Sequence, residues 1–152
     1  MRAGFSITNV QELEAVIGER QDWVKCKIFS ELDSVMKAFI ARSPLMFVST
    51  TDENGYVDVS PKGDPAGFVL VDDDGCLLIP ERPGNKLTYG FRNILRNGGI
   101  GLLFLLPRQR ETLRVKGIAT LHNDPDVLEK MKVNGKPALM YTRVEIKECF
   151  IH

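Results

Sequence analysis

The sequence is poor in several residues that mark specialised protein classes. Its three cysteines, Cys26, Cys76 and Cys149, are odd in number and far apart, so neither a disulfide framework nor a zinc site is expected. Its only histidines, His122 and His152, have no cysteine or acid at metal-ligand spacing. Neither a Ser–His–Asp set nor an HExxH motif is present. The sequence therefore predicts no metal site, and it identifies no catalytic acid, base or nucleophile.

Long apolar runs and an excess of one charge are also missing. The longest apolar run, residues 100–106, is much shorter than the roughly 20 residues of a membrane span. Residues 1–5 lack the hydrophobic region of a signal peptide. The 20 basic and 20 acidic side chains cancel, which is unlike a nucleic-acid binder. We expect a cytoplasmic protein that binds neither membrane nor nucleic acid, and the 152 residues suit a single domain covering 1–152.

Positive charge is nevertheless concentrated in residues 82–116. This segment carries eight lysines and arginines but one acid, Glu111, so its net charge is +7. Within it, the turn containing Arg82, Asn85 and Lys86 directly precedes a predicted helix at residues 87–97. Unpaired N–H groups at a helix start, together with the helix dipole, favour anions. The pattern predicts a phosphate site, and the alternative is an Asn-capped helix with a solvated basic start.

Helical patterns predict N-terminal helices at about residues 8–41. A capping box with Thr8 as N-cap and Gln11 reaching back opens a short helix through Ile17. Apolar residues at helical spacing predict a second helix over residues 23–41. Pro44 ends this helix, because the residue before a proline is pushed out of helical geometry.

Strands dominate the remainder of the chain. They are predicted at residues 45–51, 56–60, 67–71, 76–80, 100–106, 111–123 and 139–150, with hairpin turns such as Asn54-Gly55 between them. Residues 61–65 are predicted to form a loop, and residues 100–106 do not alternate, which indicates burial on both faces. A short helix at 125–133 begins at Asp124-Pro125. Six or seven strands with few helices predict a mainly β fold, an antiparallel barrel with peripheral helices.

Two further bases are candidates for anion binding, and each has a second interpretation. Strand alternation places Thr112 and Arg114 on one face, so Arg114 is either a surface residue or a charge directed at a ligand. Lys62 qualifies only if its loop meets the Arg82 turn in space. The acidic residues 72–74 lack the rest of a calcium-binding loop and are interpreted as a hairpin turn.

The order of several short motifs resembles the FMN-binding split-barrel family related to pyridoxamine 5'-phosphate oxidase. Within that family the likeness is to a bacterial branch of unassigned substrate. The matching pieces are Ser43-Pro44-Leu45, the segment 60–69, the segment 82–87, the segment 92–95, the segment 101–105 and the segment 111–117. The resemblance implies a six-stranded antiparallel split β-barrel with helices packed outside. It also implies a homodimer that holds two FMN molecules at the subunit interface.

The resemblance also implies where the cofactor binds. The strand ends around Ser60 and Pro80 would line the flavin, and the turn at residues 82–86, with Lys62 or Arg114, would hold the phosphate. Ser60 stands where the oxidases carry a basic residue, which speaks against oxidation of pyridoxamine phosphate. The predicted cofactor-binding residues are Ser60, Lys62, Pro80, Arg82, Asn85, Lys86, Asn93, Thr112 and Arg114.

The expected function is that of an FMN-dependent oxidoreductase acting on an unknown small molecule. A non-catalytic flavin carrier or sensor is the first alternative. A split-barrel relative that binds haem or a deazaflavin instead of FMN is the second.

Overall fold

The computed structural model describes residues 6–152. Residues 1–5, from which the cytoplasmic expectation was drawn, lie outside the described residues. The elements, in chain order, are helix α1 (Val10–Ile17), a 3₁₀ helix (Asp22–Lys27), helix α2 (Ser34–Arg42), strands β1 (Leu45–Thr51), β2 (Val57–Gly63), β3 (Leu70–Val71) and β4 (Leu77–Glu81), helix α3 (Tyr89–Asn97), strands β5 (Gly99–Leu105) and β6 (Thr112–His122), helix α4 (Pro125–Lys130) and strand β7 (Met140–Ile151).

The seven strands form one curled sheet in the order β2-β1-β5-β6-β7-β4-β3. All neighbouring strands are antiparallel, with Val48 opposite Ser60 in β2 and opposite Leu102 in β5. The mainly β fold with peripheral helices, a split barrel, is therefore confirmed. The count is seven because the two-residue strand β3 joins the edge beside β4.

The hydrophobic core lies on the concave face of this sheet. Strand alternation directs one set of apolar side chains inward, and helices α2 and α3 cover them. Met46, Phe104 and Leu113 are fully buried there, and Met36 of α2 and Ile94 of α3 pack against the same cluster. The core thus fixes which residues of each strand face inward, and the candidate site opens at one end of it.

The N-terminal helices differ from their predicted bounds. The N-cap of α1 is Asn9, one residue after the predicted Thr8, and its side chain accepts from the Glu12 N–H at 2.9 Å. The predicted helix at residues 23–41 is wrong as one element: it divides into the 3₁₀ helix and α2. Phe29 between them pairs with Cys149 of β7 as an isolated β-bridge, and this extended pairing interrupts the helix. None of the helices in residues 6–152 is long and apolar enough to cross a membrane.

Two strand predictions also need correction. The predicted loop at residues 61–65 is wrong, since β2 continues through Pro61 and Lys62 to Gly63. Proline is tolerated there because β2 is an edge strand of the sheet. In β5, burial alternates, so only Ile100, Leu102 and the other residues of that face are buried, and the opposite face is partly exposed.

Candidate functional site

A cleft of about 610 Å³ opens beside the concave face of the sheet. Its walls are β2, the end of β4, the start of β7 and the segment 84–91 that leads into α3. Six of the nine predicted cofactor-binding residues line it. They are Ser60, Lys62, Pro80, Arg82, Asn85 and Lys86.

A buried ion pair joins two walls of the cleft. Lys62 of β2 binds the Glu81 carboxylate at the end of β4, and the other oxygen of that carboxylate accepts a hydrogen bond of 2.8 Å from Thr142 Oγ1. Glu81 is only 3% exposed. The Lys62 ammonium also lies 5.4 Å from the centre of the Phe91 ring, which adds a cation–π contact. Lys62 therefore lies next to the Arg82 region, which was the condition for its role in anion binding.

Arg82 forms a second ion pair at the cleft. Its Nε donates to Asp64 Oδ2 at 2.8 Å, and its Nη2 donates to the Met131 carbonyl at 2.7 Å. Within residues 6–152, Nη1 of the same guanidinium is buried and has no hydrogen-bond partner. Since an unsatisfied buried donor costs free energy, this nitrogen marks a place where a ligand oxygen would be stabilised.

The turn before α3 is shaped differently from the predicted helix start. The helix begins at Tyr89, and its N-cap is Thr88, so Asn85 and Lys86 precede the first turn. Asn85 Oδ1 accepts from the Leu87 N–H at 3.1 Å, which closes a local turn. Lys86 and Thr88 both have left-handed backbone conformations, with φ of 62° and 59°. Such conformations are costly for residues other than glycine, and here they occur in a segment that lines the cleft.

The other three predicted residues do not line the cleft. Asn93 is buried in α3, where its Nδ2 donates to Thr50 Oγ1 at 3.0 Å and ties the helix to β1. Thr112 and Arg114 belong to the convex face of the sheet, where Arg114 lies opposite Leu103. The Arg114 guanidinium packs 5.3 Å from the Phe150 ring centre. Within one chain, Arg114 and the Arg82 turn therefore do not share a ligand.

Sequence reasoning missed Glu81 and Thr142. Both are buried and polar, and they hold Lys62 in place. A signal for Glu81 was available, because an acid that ends the otherwise apolar strand β4 is unusual for a buried position. Thr142 offered no such signal, since threonine is common in strands.

Residues 32–151 match the model of the family described as pyridoxamine 5'-phosphate oxidase. None of the curated proteins compared with the chain matches it in sequence.

Several solved structures share the fold. HupZ from Group A Streptococcus is 21% identical, with a TM-score of 0.62 over 79% of this chain and 93% of the other. A candidate pyridoxamine 5'-phosphate oxidase from Lactobacillus delbrueckii is 23% identical, with a TM-score of 0.61 over 80% of this chain and 95% of the other. An FMN-binding protein from Syntrophomonas wolfei is 12% identical, with a TM-score of 0.55 over 91% of this chain and 95% of the other. By its match to the family model, this chain belongs to the pyridoxamine 5'-phosphate oxidase family.

Proposed function

We propose that this chain binds FMN in the cleft as a homodimer and works as an FMN-dependent oxidoreductase on a small molecule. The observation that carries the proposal is the grouping of six predicted cofactor residues around one cleft of about 610 Å³ in a member of this family. That volume lies in the range of cofactor sites, roughly 300–1,000 Å³. The existence of an FMN-binding protein of the same fold gives further support.

The phosphate of FMN is assigned to the mouth of the cleft. Arg82 and Lys86 both line the cleft, and Arg82 Nη1 is a donor that has no partner among the described residues. The first N–H groups of α3, from Tyr89 onward, have no partners within the helix and favour an anion. These groups together offer a phosphate monoester several hydrogen-bond donors and the positive charge of Lys86.

The flavin ring is assigned to the inner part of the cleft. Pro80, Phe68 and Phe91 give this part apolar surface, and Ser60 and Thr50 add hydroxyl groups at its edge. When bound, FMN would supply the electron-transfer chemistry. The residues of the chain would bind the ring, orient it and exclude water from one of its faces.

A second copy of the chain is proposed to complete the site. Thr112 and Arg114 lie on the convex face and do not reach the cleft of their own chain. The same face exposes Val57 and Val59, which are 62% and 60% exposed and lie opposite Thr51 and Ser49 of β1. A partner packed against this face would cover apolar surface, and it would bring its own cleft towards Arg114.

A non-catalytic flavin carrier remains the second candidate, and one observation favours it. Lys62 and Glu81, which could otherwise move protons in the cleft, are engaged with each other. A carrier needs no proton-transfer group, whereas most flavin enzymes use one.

The test is spectroscopic. The purified protein should show the visible absorbance of oxidised flavin, or acquire it with added FMN, and should sediment as a dimer. A monomer that does not alter FMN fluorescence in a titration would refute the proposal. Turnover of NADH or NADPH by the FMN-loaded dimer would support the oxidoreductase, and binding without turnover would support the carrier.

A further inference from the structure

The charges that line the cleft are balanced. Its basic residues are Lys62, Arg82 and Lys86, and its acidic residues are Asp58, Asp64 and Glu81. Three positive and three negative groups give the cleft a formal charge of zero. The excess of +7 in residues 82–116 is therefore not reproduced inside the cleft, because Arg82 and Lys86 are the bases of that segment that line it, and acids from outside the segment line it too.

Two of the three bases are already committed to acids. Arg82 binds Asp64 at 2.8 Å, and Lys62 binds Glu81. The Glu81 carboxylate is held on its other side by Thr142, and it is almost fully buried, so it stays in place when a ligand enters. Removing Lys62 from it would leave an unpaired buried carboxylate, which is costly. The charge of Lys62 is thus neutralised by Glu81 and is not available to balance a ligand phosphate.

The donors that are not engaged with acids are enough to contact one phosphate. Lys86 forms no ion pair with a described residue, and Arg82 keeps only Nη1 for a ligand. A phosphate monoester carries about −1.5 to −2 charges at neutral pH. Bound FMN would use these groups and leave the cleft negative by about that amount, or by about one charge less if Arg114 of a second copy contributes. A second anion would then meet net repulsion at a place where Lys62 is neutralised.

We propose that Glu81 is a specificity-determining residue: by pairing with Lys62 it limits the cleft to one phosphate-bearing ligand. Resting on the proposed FMN function, the inference is that the molecule exchanging electrons with the flavin is uncharged or cationic and carries no phosphate. A phosphorylated substrate, such as the one for which the family is named, is excluded by the charge of the occupied cleft. Affinity for neutral molecules is unaffected, because they do not require Lys62.

The test uses two probes that differ only in a phosphate, pyridoxine and pyridoxine 5'-phosphate. Their binding to the FMN-loaded dimer is measured by equilibrium dialysis. The native protein should bind pyridoxine 5'-phosphate no more tightly than pyridoxine. A preference of tenfold or more for the phosphorylated probe would overturn the proposal without recourse to any variant.

The variant Glu81→Gln keeps the size of the side chain and the contact with Thr142 but removes the charge that neutralises Lys62. It should strengthen binding of pyridoxine 5'-phosphate at least roughly tenfold, as expected for a new charge-assisted contact, and leave pyridoxine unchanged. Glu129→Gln is the matched control, because Glu129 forms a Lys–Glu pair with Lys132 on the surface and does not line the cleft. Glu129→Gln should leave the binding of both probes unchanged.

The same samples separate this inference from the proposed function. Failure to bind FMN would refute the function, and the probes would then be measured on the protein without FMN. Without FMN, each chain of the native protein should bind one molecule of pyridoxine 5'-phosphate. Each chain of the Glu81→Gln variant should bind two. Two phosphorylated probes on the native chain would overturn the inference. So would a folded Glu81→Gln protein that behaves like the native one, with or without FMN. If Glu81→Gln does not fold, the double variant Lys62→Gln/Glu81→Gln replaces the ion pair by two neutral side chains. It should bind the phosphorylated probe as weakly as the native protein does.

Discussion

Replacement of Lys86 by glycine should separate cofactor binding from folding stability. Lys86 combines two features in one residue: it carries the ammonium assigned to the phosphate, and it has a left-handed backbone with φ of 62°. Glycine adopts that conformation without strain, whereas for other residues it costs conformational free energy. Lys86→Gly should therefore raise the free energy of unfolding and lower the affinity for FMN. Few single substitutions are expected to have these two effects together.

The magnitudes follow from exposure and geometry. A left-handed conformation costs a non-glycine residue roughly 1–2 kcal/mol, and the added backbone entropy of glycine offsets about half of that. The free energy of unfolding should rise by roughly 0.5–1 kcal/mol. A charged hydrogen bond contributes about 1.5–3 kcal/mol. Because Lys86 is exposed and its charge is screened, we expect a loss of about 1–2 kcal/mol, or roughly 5- to 30-fold in FMN affinity.

The assay compares FMN with riboflavin, which lacks only the phosphate. Lys86→Gly should weaken FMN and leave riboflavin almost unchanged, so the ratio of the two affinities should fall. Arg108→Gly is the matched control, since Arg108 is also an exposed base with φ of 68° but lies in the β5–β6 turn away from the cleft. It should give the same gain in denaturant stability and no change in the ratio. An unchanged ratio in Lys86→Gly would refute a phosphate contact by Lys86.

Three other outcomes are expected. Gly117→Ala should destabilise the fold by about 1–3 kcal/mol in denaturant melts, because a Cβ there would overlap the Glu145 carbonyl and lie 2.7 Å from Val144 Cγ1. Arg114→Ala should weaken FMN by about 1.5–3 kcal/mol in the dimer and should not affect a monomeric variant; an equal loss in both would contradict a contact made across the dimer. Cys26 is exposed and should react with a thiol reagent within the native protein. Cys149 should react only on unfolding, because it is buried and burial raises the pKa of its thiol. Since the thiol ionises more easily in the unfolded chain, the free energy of unfolding should decline as pH rises past the ordinary thiol pKa of about 8.5.

Local patterns determined most of the elements of this protein. The strand at residues 45–51 was predicted with its observed bounds, and the Asp124 N-cap with proline in the first turn starts α4 as expected. Strand β7 begins and ends one residue later than predicted. These features depend on side-chain alternation, turn residues and caps that act over a few positions, so the sequence expresses them directly.

Elements shaped by distant partners were not predictable in this way. The predicted helix over residues 23–41 is interrupted because Phe29 pairs with Cys149, which is 120 residues away. The extension of β2 through Pro61 depends on its place at the sheet edge, where a missing N–H does no harm. Neither the bridge nor the edge position has a signature within the segment itself.

For the candidate site, the sequence determined which residue types were available, and the tertiary structure decided which of them meet. Alternation could place Thr112 and Arg114 on one face of β6, but the packing of α2 and α3 against the other face decided that theirs is the convex one. Lys62 and Glu81 belong to strands near opposite ends of the sheet order. The curl of the sheet brings these two strands across the cleft from each other, and only there does a buried carboxylate neutralise a base that the sequence alone presents as free to bind an anion.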